Sequence, residues 1–239
     1  MLNNSRMISF FIPIRKNSKR ILNKNTKKIG KYNLGLTEIK IKQLQIFRKL
    51  IIKDKILKNY NFEFIISSDD KKIEKYAKQF KWIIFHPREK NLALDDSLDK
   101  LIQVVPKICK GNLIIWTHVT SPFFNEISYL NFIKNFLNSK KFKSAFTANI
   151  ISTFLYNFNK KKWISHDKNK KKWPRTQDLD QVFSINSAGF ISTKKIYEKF
   201  KDRLDNNPLP LSISIQESFD IDNIKEFNLF KKQLKNLTV

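Results

Sequence analysis

The stretch "SFDID", residues 218–222, sets Asp220 and Asp222 two positions apart. In an extended segment residues i and i+2 face the same way, so both carboxylates can converge on one hard cation; on a helix they diverge. Mg²⁺ takes few carboxylates together with water and phosphate oxygens, so a bare pair suffices. Near the other end, "IPIRKNSKRILNKN" (12–25) brings Arg15, Lys16, Lys19, Arg20 and Lys24 close together, with Ser18 and Asn25 as further donors. Fixed cations beside hydroxyl and amide groups, where a strand gives way to a loop, are what a triphosphate requires. The segment lacks G-x-x-x-x-G-K-[ST] and is no Walker loop. Each stretch alone has a plainer reading: a solvated basic loop, and an acidic cap for the helix that follows.

Strands and helices alternate along the chain. "ISFFIPI" (8–14), "FEFIISSDD" (62–70), "WIIFH" (82–86), "NLIIW" (112–116) and "KSAFTANI" (143–150) read as strands. Amphipathic stretches separate them: one from Thr37, which the pattern makes its N-cap, then "KKIEKYAKQF", "SLDKLIQVVPKI" and "EISYLNFIKNFL". Such alternation predicts an α/β fold, a parallel sheet with helices on both faces, and ligands beyond the carboxyl ends of its strands. The tails "RKNSK", "SSDD" and "THVTSP" lie there. Residues 157–181, basic and rich in tryptophan, break the pattern and read as an inserted arm. "VFSINSAGFIST" then returns to strand, and "NIKEFNLFKKQL" to helix. Residues 7–239 read as one domain and 1–6 as a loose tail.

Composition narrows the classes. Lys and Arg number 47 against 21 Asp and Glu, a net charge of +26. A field of that sign draws polyanions. Abundant Lys, Asn, Ile and Phe with only 4 Gly equally suit an AT-biased coding sequence whose lysines coat solvated faces. The single Cys excludes a disulfide framework or a Cys-based zinc site within the chain. No run approaches the ~18 apolar residues of a membrane span, and the apolar start is interrupted by Pro13 and Arg15, unlike a secretory signal. A cytoplasmic protein is expected. Nucleic-acid binding lacks a reader motif, and the aromatic residues fall mainly at core spacing.

Taken together these pieces resemble the acylneuraminate cytidylyltransferases, which make CMP-activated sialic acids and related nonulosonic acids. Arg15, Ser18, Lys19, Lys24 and Asn25 stand at the spacing of that family's first motif. "IISSDD", "HVTSPF" (118–123), "INSAGFI" (185–191) and "SFDID" match further motifs in order, and "KWPRTQDL" (172–179) resembles a stretch found in part of the family.

The resemblance implies a three-layer α/β/α architecture, with a mostly parallel Rossmann-like nucleotide-diphospho-sugar transferase sheet and a small dimerisation arm. It implies CTP and a nine-carbon sugar acid as substrates, Mg²⁺ as cofactor and a homodimer. Arg15, Lys19 and Asp222 become the catalytic candidates. Arg15, Ser18, Lys19, Lys24, Asn25, Asp69 and Ser97 become nucleotide contacts. His118, Ser121, Arg175, Gln177 and Asn186 become sugar contacts, and Asp220 and Asp222 metal ligands.

Plainer roles stand beside these. Asp69, Asp70 and Ser97 sit where helices begin, Ser121 where the chain turns, and Lys16 and Arg20 read as surface. Three departures mark this chain: Lys16-Asn17 in place of paired glycines, Ser187 in place of glycine, and His118 in place of the usual Gln. Cytidylyltransferases for the eight-carbon acid Kdo carry Gln-Gly-Asp-Glu-Pro where this chain has "THVTSPF", which turns the expectation toward nonulosonic acids.

Overall fold

The computed structural model describes residues 6–16, 18–94 and 97–234; the expected tail lies outside them except for Arg6. Strand β1 (Met7–Ile14), helix α1 (Gly35–Lys53), β2 (Asn61–Ser68), α2 (Lys71–Ala77), β3 (Ile83–Pro87), α3 (Leu98–Ile108), β4 (Leu113–Trp116), α4 (Glu126–Asn138) and β5 (Ser144–Ile151) follow the expected alternation. Then come β6 (Tyr156–Asn157), β7 (Lys162–Trp163), β8 (Val182–Thr193), α5 (Lys194–Phe200), β9 (Leu209–Ser212) and α6 (Ile224–Gln233).

The main sheet runs β3-β2-β1-β4-β8-β5-β9. Its neighbours pair in parallel except at β8, which runs antiparallel to both β4 and β5. This is an α/β architecture, and the sheet is mostly parallel.

Alternation along β1 explains the layers, since successive side chains point to opposite faces. Ile8, Phe10 and Ile12 pack with residues of α1, α2, α4 and α6, while Phe11 joins Ile114 and Trp116 beneath α3 and α5. At the start of β1, the polar Ser9 faces the second layer. Its hydroxyl donates to the Glu63 carboxylate at 2.5 Å and accepts from the Gly111 amide at 2.8 Å. Lys110 N also donates, at 2.5 Å, to the same Glu63 oxygen, so Oε1 of this buried carboxylate is fully engaged. A Cβ on Gly111 would press on Ser9 and on the Met7 carbonyl, which is why this close approach carries glycine.

Some expectations need correction. Thr37 does not cap α1: the helix begins at Gly35 with Leu34 at the N-cap, and the Glu38 carboxylate accepts from Leu34 N. Gly35 has φ +49, and a Cβ there would strike the Lys27 carbonyl, so only glycine opens the helix in this way. Thr37 is buried, and its hydroxyl donates instead to the Asn25 carbonyl at 2.8 Å. Asp222 does not cap α6; Asn223 does, in a capping box with Glu226.

Helix α5 and strand β9 were not anticipated. Pro210 disguised β9, and it lies on the sheet edge, where proline is tolerated. In the arm, β6 and β7 form a two-stranded antiparallel ribbon over which Phe154, Trp163, His166 and Trp173 pack edge to face or tilted. Among the described residues no helix is long and apolar enough to cross a membrane.

Candidate active site

The carboxyl ends of β1 and β4 open onto a cleft of about 320 Å³. Arg15, Ser18, Lys24, Asn25, Ser97, His118, Asp220 and Asp222 all line it. The lining includes the cationic loop and the acidic pair, and Leu92, Leu94, Leu98, Leu101 and Trp116 give it an apolar part suited to a flat ring.

The loop after β1 is held by its own side chains. Asn25 Nδ2 donates to the Arg15 carbonyl at 3.0 Å, and both the amide and the hydroxyl of Thr37 donate to the Asn25 carbonyl. Lys24 is buried, and its ammonium donates to the Ile221 carbonyl at 2.5 Å while standing 3.4 Å from Asp222 Oδ1. One lysine thus joins the basic loop to the acidic segment. Arg20, read from sequence as surface, in fact reaches Asp222 Oδ2 at 3.2 Å. It is a second counter-charge to that carboxylate, exposed where Lys24 is buried.

Asp220 lies deeper. Burial pushes its carboxyl above the usual range; a hydrogen bond from Thr120 opposes this and the charge of Asp222 adds to it. Its Oδ1 is buried and accepts no hydrogen bond. A buried carboxylate oxygen left without a donor fits a cation ligand, and Asp222 supplies a second carboxylate at the cleft. Among the described residues no three acidic, His or Cys groups gather around one point. Asp220 and Asp222 would hold a cation only together with oxygens from a ligand or water.

His118 accepts a hydrogen bond at 2.8 Å from the indole N–H of Trp116. Burial, with Arg203 and Arg88 nearby, lowers its pKa to about 3, so the ring is neutral. Arg88 and Arg203 were missed by sequence reasoning, because an isolated arginine in a loop carries no spacing signal. Arg88 follows β3 and lines the cleft; its guanidinium donates to the Ser67 carbonyl at 2.6 Å, and burial lowers its pKa to about 10, leaving it charged. Its place beyond a strand's carboxyl end was the available clue. The Arg203 guanidinium lies 3.9 Å from the Phe190 ring centre and 5.1 Å from that of Trp116.

The other sequence-predicted residues are engaged within the fold or lie off the cleft, each for a physical reason. Asp69 accepts from the Lys16 amide at 2.8 Å and so ties the first loop to the end of β2, while Asp70 caps α2. Ser97 lines the cleft, but its hydroxyl donates back to the Leu94 carbonyl instead of capping α3. Ser121 is fully buried, and its carbonyl accepts from the buried ammonium of Lys40. The Asn186 carboxamide bonds Thr147, Asn149 and the Ala188 amide, and its neighbour Ser187 lines the cleft instead. Lys19 is exposed outside the lining. Arg175 is on the arm, paired with Asp178 at 3.0 Å, and Gln177 lines a separate hollow with Ile150 and Leu179.

A parallel sheet whose strand ends carry a cationic loop opposite a carboxylate pair defines a nucleotidyltransferase. The sequence model described as "Cytidylyltransferase" matches residues 9–238, and the chain belongs to that family, whose members use CTP. No curated protein matches it. Among solved structures, CMP:2-keto-3-deoxy-manno-octonic acid synthetase complexed with CTP is similar at 11% identity, with a TM-score of 0.62 over 96% of this chain and 98% of that one. The 4-diphosphocytidyl-2C-methyl-D-erythritol synthase of Anaerococcus prevotii DSM 20548 is similar at 14% identity and TM-score 0.63, over 97% and 99%. A cytidylyltransferase from Leptospira borgpetersenii serovar Hardjo-bovis (strain JB197) gives 12% and 0.58, over 97% and 88%. At these identities the likeness is one of fold.

Proposed function

We propose that the protein activates a sialic-acid-like nonulosonic acid, transferring CMP from CTP to its anomeric hydroxyl and releasing pyrophosphate. The observation that carries this reading is the single cleft lined by Arg15, Ser18, Lys24 and Asn25 together with Asp220 and Asp222 and by apolar residues. The hydroxyl oxygen forms a bond to the α-phosphorus in line with the departing oxygen. The α–β bond breaks, pyrophosphate keeps that electron pair, and the hydroxyl proton passes to solvent. Arg15 and Lys24 neutralise charge on the phosphates, Ser18 and Asn25 add donors, and the apolar part of the lining takes the cytosine. Asp220 and Asp222 would hold Mg²⁺, which when bound supplies charge neutralisation on the triphosphate. The chain's main contribution is alignment of nucleophile and leaving group.

The motif order favours a nonulosonic acid, and the absence of Gln-Gly-Asp-Glu-Pro weighs against an eight-carbon acid. The likeness to the octonic acid synthetase supports the eight-carbon acid as the second reading. In a homodimer the arm would carry Arg175 toward the neighbour's cleft, where its planar fork suits a carboxylate. Exposed Phe158 and Trp173 on that arm support an assembled state.

The test is pyrophosphate release from CTP with Mg²⁺ across sialic, legionaminic and pseudaminic acids, the eight-carbon acid and 2C-methyl-D-erythritol 4-phosphate. Turnover with a nine-carbon acid is expected. Turnover confined to the eight-carbon acid or the polyol phosphate overturns the substrate assignment.

A further inference from the structure

We infer that Trp116 is a positioning residue: it sets His118 as a one-tautomer hydrogen-bond donor to an oxygen of the acceptor substrate. The inference rests on the sugar-acid reading above for the identity of that oxygen, and on geometry alone for the tautomer.

Trp116 ends β4 and is fully buried. An indole N–H only donates, so the His118 Nε2 that it meets at 2.8 Å must be bare. A neutral imidazole then carries its one proton on Nδ1. The indole cannot readily swing away, because it sits between the Phe11 ring, 5.0 Å between centres, and the Arg203 guanidinium at 5.1 Å. Arg203 in turn lies over Phe190. The surrounding cations, Arg203, Arg88 and Lys24, disfavour a second proton on the ring. Among the described residues the indole supplies the ring's one hydrogen bond, and the ring lines the cleft.

The chemical consequence is narrow. The carboxamide expected from the family resemblance at this position has both a donor and an acceptor to offer. The Trp116–His118 pair has one donor and no acceptor, and adds no charge. It recognises an oxygen lone pair and gives nothing to a ligand group that can only donate. Discrimination among acceptor substrates at this point is therefore by acceptor geometry.

The tautomer is read by long-range ¹H–¹⁵N correlation on ¹⁵N-histidine-labelled protein at neutral pH, without substrate. His118 is assigned among the three histidines by its loss in H118Q. A protonated Nδ1 with a bare Nε2 is expected, relaxing to a mixture in Trp116→Phe, which keeps the ring stack and loses the N–H. A protonated Nε2 in the wild type overturns the inference whatever the variants do.

With substrates, His118→Ala and Trp116→Phe should raise KM for the sugar acid about 3–10-fold, the size of one neutral hydrogen bond. CTP affinity of His118→Ala by calorimetry without acid should be unchanged, and His118→Gln, which restores a donor, should recover most of the KM. An unchanged acid KM, or an equal loss of CTP affinity, overturns the substrate contact. If no acid in the panel turns over, that contact fails with the reading beneath it, and the imidazole resonances decide the tautomer separately.

Discussion

Strand β1 has two polar ends that are built in opposite ways. At its start, Ser9, Glu63, Lys110 N and Gly111 N form a closed set in which the buried carboxylate accepts 2.5 Å bonds from Ser9 and Lys110. At its finish, the loop from Arg15 to Asn25 faces a carboxylate whose buried Oδ1 accepts nothing, and Asn25 Oδ1 is likewise buried and unpartnered. One strand thus separates polar groups satisfied by the chain from polar groups left for a ligand. Burial alone does not mark a functional group; burial with unmet hydrogen-bonding capacity, beside a cleft, does.

The contrast is broken most severely at the open end. Asp222→Asn should lower kcat by about 10³-fold, the range seen when one electrostatic element of a transition-state site is lost, with the urea midpoint unchanged. Steady-state pyrophosphate release and denaturation of the same preparation check both halves. Near-normal turnover would remove Asp222 from the metal site.

The closed end should respond in the reverse sense. Glu63→Ala strands the Ser9 hydroxyl proton and the Lys110 amide, while the Gly111 amide keeps Ser9, and should cost about 2–3 kcal/mol of stability while kcat/KM of the folded fraction is preserved. An activity loss exceeding the loss of folded protein would show that the two ends are coupled.

Lys40 sharpens the same comparison in a cation. Its ammonium donates to the Ser121 and Phe124 carbonyls and to the Tyr129 hydroxyl, and burial lowers its pKa from 10.5 to about 7. The unfolded chain then holds this proton more tightly than the folded one. Stability from this group rises as pH goes from about 7 toward 10.5, and the penalty is full below 7. In Lys40→Met the rise in urea midpoint between pH 7 and pH 9 should be smaller than in the wild type. An equal rise in both proteins would mean that Lys40 titrates normally.

The smallest effect belongs to Arg20. Its pair with Asp222 is exposed, so Arg20→Ala should tighten apparent Mg²⁺ affinity by no more than about fivefold, the scale of a surface ion pair. A Mg²⁺ titration of activity reads it, and weakened Mg²⁺ affinity would make Arg20 a ligand-binding cation in its own right.

The legibility of the molecule follows the same division. Strands β1 to β5 and their intervening helices were visible because burial on both faces imposes long apolar runs, and helices impose a different period. The cleft residues Arg15, Lys24, Asp220 and Asp222 were visible because like charges stand at close spacing in the sequence and the family resemblance singled these positions out. What stayed hidden depends on contacts between distant segments. Thr37 looked like a cap until the Asn25 carbonyl appeared beside it, and Arg88 and Arg203 mean nothing until the loops after β3 and α5 bring them near His118. Ser121 and Asn186 carry plausible polar groups, but packing turns one inward and engages the other with its neighbours.

The bond from Lys24 to the Ile221 carbonyl spans 197 residues. During synthesis the cationic loop leaves the ribosome early, and it waits for nearly the whole remaining chain before its acidic counterpart exists. Catalytic competence is therefore among the last properties acquired, after the sheet has closed around β8 and β9. Until Asp220 and Asp222 have been made, the proposed triphosphate site cannot assemble. The closing contact of the fold doubles as a checkpoint on its chemistry.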